Sequence, residues 1–286
     1  MGQNTKIDWC DATWNPVTGC YHRCEYCYAR RIAERFGCAT IAIYDEDGYV
    51  VDGFVTCADG TCHEMEHPYE DCGKGRIAPY PYEFDPTFHR YKLDEPQHWK
   101  KPRTIFVCSM ADLFGEWVPD EWIEQVFKAC EAAPQHRYMF LTKNPARFKQ
   151  LRKNGVKLPN DCWIGTSVTR DAEQADQYTG RTGYLSENWD TTAQWFVSVE
   201  PILERMSRGS IENLTAMNWV IVGAETGRRN ERVIPEKKWI DEIAEECKRC
   251  GTPIFMKESL RGLMGDDFKQ EFPWQARDHE FCRGAE

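Results

Sequence analysis

The sequence predicts an α/β protein, a partial TIM barrel of the (β/α)6 type with parallel strands and a Cys/His-rich insertion. Two observations lead to this prediction. Short apolar runs recur along the 286-residue chain, and amphipathic segments separate many of them. Buried strands that alternate with helices are typical of a parallel sheet covered by helices. In such barrels the residues that do chemistry follow the carboxyl ends of the strands.

Seven runs are the predicted strands. The first lies within residues 6–19, where Trp9, Trp14 and Val17 precede the turn residue Gly19. The other six are apolar runs at residues 103–109, 137–142, 162–168, 195–199, 219–223 and 253–256. Apolar runs of this length, without strict alternation, indicate strands that are buried on both faces.

Three segments with apolar residues at helical spacing are the predicted helices. They cover residues 29–36, 120–133 and 235–250, and Gly37 and Gly251 end the first and the last. Residues 38–74 are instead rich in Asp, Glu, Gly, His and Cys and lack helical periodicity. We therefore expect one barrel domain over residues 1–286, with an inserted Cys-rich subregion at about residues 38–76.

Composition restricts the classes of function. The formal net charge of −10 at pH 7 argues against a broad basic face for nucleic acid, although a local basic groove is compatible with it. No apolar run approaches the roughly 20 residues that span a bilayer, and no run of signal-peptide form follows Met1. We expect a cytoplasmic protein with no membrane partner. In that reducing compartment the 14 cysteines suggest metal ligands before disulfides.

The strongest candidate site is the triplet Cys20, Cys24 and Cys27, which has the spacing C-x3-C-x2-C in the loop after the first strand. Three thiolates so close on one loop suit three irons of a 4Fe–4S cluster, whose fourth iron keeps an open coordination position. A zinc site is the alternative. Zinc needs a fourth ligand for its tetrahedral geometry, and His22 is the candidate.

The triplet resembles the motif of the radical S-adenosylmethionine (SAM) superfamily, C-x3-C-x-aromatic-C after the first barrel strand, with Tyr26 at the aromatic position. A closer similarity extends over most of the chain, to a phage-associated branch catalogued as a domain family of unknown function. It rests on the segments TWNPVTGC, CEYCYAR, WKKPRTIFVCSMADLF, FLTKNPARF, WIGTSV, SVEPIL, WVIVGAETG and PIFMKES.

This resemblance implies a radical SAM enzyme with two cofactors, a 4Fe–4S cluster and S-adenosyl-L-methionine. One electron from the cluster would break the bond between sulfur and C5′, giving methionine and a 5′-deoxyadenosyl radical that takes a hydrogen atom from the substrate. The implied partner is an electron donor, either a reductase or a flavodoxin or ferredoxin. A nucleotide or nucleic acid is the first candidate substrate, and a peptide or protein is the alternative.

Polar residues after the predicted strands are candidates for binding the cofactor. Radical SAM proteins usually bind the methionine moiety after the second strand, a lysine suits its carboxylate, and hydroxyl or carboxylate groups suit the ribose. The cofactor candidates are Tyr26, Ser109, Met110, Asp112, Lys143, Ser167, Glu200 and Glu225, and the substrate candidates are Lys257 and Glu258. The ordinary alternatives are helix caps, exposed side chains and structural ion pairs.

A second group of cysteines lies in the insertion. It comprises Cys38, Cys57, Cys62 and Cys72, accompanied by His63 and His67. A small unit with little hydrophobic material often depends on a metal for its fold. We therefore hypothesise a structural zinc ion or an auxiliary iron–sulfur cluster here. The alternative is that these thiols are free in a polar loop.

Two functions from other classes compete with the enzyme. A non-catalytic zinc-binding module is favoured if the triplet binds zinc rather than iron. A ferredoxin-like electron carrier is the third possibility, but such a carrier needs four cysteine ligands and no cofactor pocket. Binding of S-adenosylmethionine to the cluster therefore separates the enzyme from both.

Overall fold

The computed structural model describes residues 5–47, 49–171, 193–227 and 231–275. Within these ranges the strands are β1 (Ala12–Trp14), β2 (Val17–Thr18), β3 (Ala39–Tyr44), β4 (Val50–Thr56), β5 (His63–Met65), β6 (Glu70–Asp71), β7 (Arg76–Ile77), β8 (Thr87–His89), β9 (Thr104–Val107), β10 (Arg137–Thr142), β11 (Trp163–Val168), β12 (Gln194–Val199), β13 (Trp219–Val222) and β14 (Ile254–Met256). The α-helices are α1 (Tyr28–Arg35), α2 (Asp120–Glu131), α3 (Ala146–Lys153), α4 (Arg208–Thr215), α5 (Lys237–Cys250) and α6 (Arg261–Met264).

Seven of these strands form one sheet in the order β1-β9-β10-β11-β12-β13-β14. All six neighbouring pairs are parallel. Each of the six apolar runs beyond residue 102 contains one strand of this sheet, and helices α2 to α5 lie between successive strands. The predicted α/β fold with a partial parallel barrel is therefore confirmed.

The sheet is curled. Trp9 lies just before β1 at one edge, yet its ring centroid is 6.2 Å from that of Phe196 on β12 and 6.4 Å from that of Trp219 on β13. In a flat sheet five strand spacings of about 4.8 Å would separate β1 from β13 by about 24 Å. The two edges also approach each other, because the backbone N–H of Glu258 after β14 donates to Asp8 Oδ2 at 2.7 Å.

The outer face of the sheet is covered by amphipathic helices. Helix α2 buries Ile123, Val126 and Phe127 against the first half of the sheet, and α5 buries Ile240 and Ile243 against the second half. Fully burying an aliphatic or aromatic side chain of this size contributes about 1.5–3 kcal/mol. None of the helices that the structure describes combines the length and the apolar character needed to cross a membrane.

The inner face changes from aromatic to polar along the strands. Its apolar cluster consists of Trp9, Phe106, Met139, Trp163, Phe196, Trp219, Ile221 and Phe255. Inner positions along β11 run Trp163, Gly165 and Ser167, and along β12 they run Phe196 and Ser198, because alternate residues of a strand share a face. Gly165 makes room for the Phe196 ring, which a Cβ at that position would approach to 2.4 Å. The curled sheet therefore encloses a cavity, and this cavity opens at the carboxyl ends of the strands.

The insertion forms β structure that the sequence did not predict. Strands β3, β4, β6 and β7 make an antiparallel sheet in the order β4-β3-β6-β7. Strand β5 belongs to a different, three-stranded sheet, in which it pairs with β8, and β8 pairs with β2. Since β2 ends at Thr18, this second sheet connects the insertion to the start of the cysteine loop. The division of the chain into a barrel domain and an inserted subregion stays a prediction.

His89 on β8 gives the stability of this region a pH dependence. Its imidazole is fully buried, with Nε2 at 2.9 Å from Thr18 Oγ1, and burial lowers its pKa well below 6.5. The unfolded chain therefore takes up a proton that the folded chain excludes, so stability is complete above pH 6.5 and falls below it. Between pH 7.5 and 5.5 we expect a loss of about 1.4 kcal/mol that His89→Gln abolishes.

Urea denaturation at both pH values measures this effect. His98→Gln is the matched control, because the side chain of His98 is 71% exposed, and its pH dependence should equal that of the wild type. An unchanged loss of stability in His89→Gln would show that other groups cause it.

Candidate functional site

The cysteine loop begins at Gly19, where only glycine fits. Its φ is +87°, a conformation that side chains with a Cβ rarely adopt, and an added Cβ would lie 2.1 Å from the backbone oxygen of Asp85. The N–H of Gly19 donates to Met110 O at 2.9 Å, and the N–H of Cys20 donates to Phe84 O at 3.1 Å. The loop therefore starts from a fixed position between the second barrel strand and the turn before β8.

The three cysteines stand at the mouth of the barrel and line one large cavity. Cys27 is the N-cap of α1, and its Sγ accepts a hydrogen bond from the N–H of Arg30 at 3.3 Å. Cys20 Sγ accepts one from the N–H of His22 at 3.5 Å. Donors of this kind stabilise thiolate ligands of iron–sulfur clusters and tune their potential. Burial raises the pKa of the Cys20 thiol to about 12, so metal binding there would release a proton.

The separation of the three sulfur atoms distinguishes between a single ion and a cluster. All three thiols are free. Among the described residues they do not form a group whose ligand atoms all lie within 4.8 Å of one another. Two sulfur atoms bound to one zinc ion at about 2.3 Å each are at most about 4.6 Å apart. The three thiols are therefore not already gathered for one zinc ion with three sulfurs, whereas a cubane places each cysteine on its own iron.

Asp112 connects the cysteine loop to the next barrel strands. It is 5% exposed. Its Oδ1 accepts hydrogen bonds from Thr142 Oγ1 at 2.7 Å and from the N–H of Phe114 at 3.1 Å. Its Oδ2 accepts one from the N–H of Lys143 at 2.8 Å and lies 2.7 Å from His22 Nε2. One buried carboxylate thus fixes His22, between the first two cysteines, against the end of β10.

Charged side chains of both signs surround the rest of the cavity. The Lys143 ammonium lies 5.3 Å from the ring centroid of Tyr26, and burial raises the pKa of that tyrosine. The Lys257 ammonium donates to Glu200 Oε1 at 2.5 Å, which joins the ends of β14 and β12. Glu225 is 5% exposed and accepts from the N–H of Val233 at 3.3 Å. These groups offer a cation and hydrogen-bond acceptors to a polar ligand.

The family of the chain follows from comparison with known sequences. A family model with the description "Protein of unknown function (DUF5131)" matches residues 4–266. The chain belongs to the DUF5131 family. A comparison with curated proteins gives no match.

Two solved structures of spore photoproduct lyase align with the DUF5131 chain. One is a mutant with dinucleoside spore photoproduct, with 11% identity and a TM-score of 0.48 over 88% of this chain and 79% of that chain. The other is a mutant with bound AdoMet and dinucleoside spore photoproduct, with 12% identity and a TM-score of 0.43 over 85% of this chain and 64% of that chain. The function of the DUF5131 chain is therefore inferred from its own residues.

Most residues that the sequence proposed lie around the same cavity of the DUF5131 chain. Its lining includes Cys20, Cys24, Tyr26, Cys27, Ser109, Asp112, Lys143, Ser167, Glu200, Glu225 and Lys257. Two candidates lie elsewhere. Met110 packs in the apolar cluster beneath Cys20 and Cys27, and Glu258 is exposed and pairs with Arg261. Ser109 and Met110 lie in the turn after β9, and Glu258 begins a 3-10 turn directly after Lys257. In each pair one side chain, that of Ser109 or Lys257, lines the cavity and the other does not.

Sequence reasoning missed several residues of the DUF5131 site. His22 was considered only as a zinc ligand, whereas it contacts Asp112. Asn15 Oδ1 accepts from Ser109 Oγ at 3.1 Å and from the N–H of Met110 at 3.0 Å, which fixes the segment after β9. The hydroxyl of Tyr28 donates to Ser109 O at 2.8 Å. The position of His22 inside the cysteine motif was a usable signal, but nothing local distinguishes Asn15 from an ordinary turn residue.

The four cysteines of the insertion do not converge on one point in the DUF5131 structure, although the thiols of Cys38 and Cys57 lie within hydrogen-bonding reach of each other. Cys38 donates to Glu83 Oε1 at 3.1 Å, Cys62 to Trp117 O at 3.4 Å and Cys72 to Glu70 O at 3.9 Å. No three of the sulfur atoms of Cys38, Cys57, Cys62 and Cys72 converge within 4.8 Å. A single zinc ion bound by these four cysteines is therefore not supported, and an auxiliary cluster stays an untested prediction.

Proposed function

We propose that the protein is a radical SAM enzyme. The observation that carries this proposal is the triplet itself: three free thiols at the mouth of a parallel half-barrel, facing a cavity, and not gathered around one metal position in their present rotamers. When bound there, a 4Fe–4S cluster supplies the electron that reductively cleaves S-adenosylmethionine. A reductase, flavodoxin or ferredoxin is the proposed source of that electron.

The residues around the cavity suit the cofactor. Lys143 offers a cation to the cofactor carboxylate, and Ser167, Glu200 and Glu225 offer hydrogen-bonding groups to its ammonium or ribose. Tyr26, Trp9 and Phe106 add apolar surface to the lining of the cavity. The empty space of the cavity, counted together with the open solvent at its mouth, is about 1100 Å3.

The proposed substrate is a nucleotide or nucleic acid. Four cations stand at the cavity or beside its mouth although the whole chain is acidic: Lys143 and Lys257 line the cavity, Arg23 is exposed within the cysteine loop, and the Arg31 guanidinium lies against Gly227. Local cations of this kind suit phosphate groups. An acidic peptide or protein is the alternative substrate.

Anaerobic reconstitution with iron and sulfide tests the class of enzyme. The reconstituted protein, supplied with dithionite and S-adenosylmethionine, should form 5′-deoxyadenosine and methionine in equal amounts. Protein that takes up zinc but no iron would support the binding module instead. Candidate nucleotides, oligonucleotides and peptides, each deuterated, should then be compared for transfer of deuterium into 5′-deoxyadenosine, and transfer from peptides alone would reject the nucleotide proposal.

A further inference from the structure

A second set of ligating side chains converges in the insertion, outside the cavity. His63 Nε2 lies 3.2 Å from Asp59 Oδ1 and 3.6 Å from Asp85 Oδ2. One ligand atom from each residue lies within 4.8 Å of the other two, and this is the one such group among the described residues. The three residues come from the loop after β4, from β5 and from the turn before β8, so three separate segments meet here.

The spacing of these atoms suits one metal ion. Zinc binds imidazole nitrogen and carboxylate oxygen at about 2.0–2.2 Å. Tetrahedral geometry then puts two ligand atoms about 3.3 Å apart. The distances from His63 Nε2 to the two carboxylates bracket this value, so an ion placed among the three residues would reach all of them with small adjustments.

The imidazole ring of His63 has a fixed orientation, but its Nε2 lacks a hydrogen-bond partner. Its Nε2 is inaccessible to solvent and has no partner in hydrogen-bonding geometry, although both carboxylates are close. A buried polar nitrogen without a hydrogen bond costs free energy. The ring stacks on Tyr82 with centroids 3.7 Å apart and planes 3° from parallel. Stacking thus holds the nitrogen in a direction that neither carboxylate satisfies, and a cation between them would satisfy it.

Both carboxylates are held in place and keep free lone pairs. Asp85 is 6% exposed, and its Oδ2 accepts from the N–H groups of Asp59 and Gly60 at 2.8 and 2.7 Å. Its Oδ1 accepts from the hydroxyl of Tyr21 at 3.2 Å. Asp59 Oδ1 accepts from the N–H and hydroxyl of Thr61. A carboxylate offers about four lone-pair sites. The remaining sites are on Asp59 Oδ2 and Asp85 Oδ1, so an ion would bind through these oxygens or replace one of the hydrogen bonds to the other two.

We propose that Asp59, His63 and Asp85 bind a divalent first-row transition metal, with Zn2+ as the representative ion. One nitrogen and two oxygens are a mixed donor set that such ions accept. The ion would link the insertion to the turn that supports Gly19, and Tyr21 beside Cys20 bonds to the same Asp85. The site is thus structural and supports the wall behind the cysteine loop. It uses no cysteine and is independent of the chemistry at the triplet.

Metal binding by the full-length chain with its reconstituted cluster tests this proposal. His63→Phe removes the nitrogen and keeps a flat ring on Tyr82, and His67→Phe is the matched control in the same segment. After equilibration with Zn2+ and dialysis, wild type and His67→Phe should retain about one zinc per chain more than His63→Phe. Zinc should also raise the melting temperature of the first two proteins but not of His63→Phe.

Asp59→Asn is a second variant for the case that His63→Phe does not fold, because Asp59 lies at an exposed position. It should lower zinc affinity at least about tenfold, as loss of metal contacts commonly does. Co2+ gives the ligand type, since sulfur ligation produces an intense near-ultraviolet band that nitrogen and oxygen ligation lacks. Equal zinc content in wild type and both ligand variants, or a cobalt spectrum of sulfur ligation alone, would overturn the proposal. Iron content reports the triplet separately, so failure at one site is distinguishable from failure at the other.

Discussion

Cys24→Ala is expected to abolish formation of 5′-deoxyadenosine and to reduce bound iron from about four atoms per chain to background. The physical reason is the open iron of a three-cysteine cluster. Removing one of three thiolates leaves two irons without a protein ligand, and the cluster then dissociates. Because the cluster is the source of the electron, loss of activity should be complete rather than partial. Iron and sulfide analysis, electron paramagnetic resonance after reduction and product analysis measure this result.

Cys250→Ala is the matched control for Cys24→Ala. Cys250 is an exposed cysteine at the last position of α5, and its replacement should leave iron content and product formation at wild-type levels. Conversely, zinc without iron in the wild type, and loss of that zinc in Cys24→Ala, would favour the binding module. Retention of iron and of cofactor cleavage by Cys24→Ala would exclude the triplet as the ligand set.

The barrel was predictable because its signal is local. A strand buried on both faces needs an uninterrupted apolar run, and β9 and β13 show such runs whatever lies around them. The cysteine loop was predictable for a similar reason, since its ligands fall within eight consecutive positions. The insertion was harder. Its strands β6 and β7 have two residues each, and a pair that short has no period to detect.

The contacts that organise the site were not predictable, because they join distant parts of the chain. His22 and Asp112 are 90 residues apart, and Asn15 and Met110 are 95 apart. The direction in which each side chain points was the second feature that the sequence did not reveal. Lys257 and Glu258 were equally good candidates from sequence, yet Lys257 lines the cavity while Glu258, the first residue of a 3-10 turn, pairs with Arg261. A count of residues from the inner aromatic Phe255 would have separated them.

The same long-range contacts make Asp112 the residue whose loss should destabilise the fold most. Asp112→Ala leaves the hydroxyl of Thr142 and the N–H groups of Phe114 and Lys143 without their acceptor in a buried place, and it removes the partner of His22. An unsatisfied buried donor costs about 1–3 kcal/mol, and removing one member of a buried charged network costs about 3–5 kcal/mol. We expect a decrease of about 4 kcal/mol in the free energy of unfolding.

Two further variants, measured by the same chemical denaturation, provide reference values for the loss of stability expected of Asp112→Ala. Thr142→Val keeps the shape but removes the hydroxyl that donates to Asp112 and accepts from the N–H of Asn144, so it should cost about 1–2 kcal/mol. Asp266→Ala removes an exposed carboxylate and should stay within about 0.5 kcal/mol of wild type. If Asp112→Ala costs no more than Thr142→Val, water must satisfy the exposed donors, and the carboxylate is then not what holds the cysteine loop against β10. A decrease near 4 kcal/mol would instead mean that the geometry of the triplet depends on a residue 85 positions beyond Cys27, so that folding of the second barrel unit precedes a competent metal site.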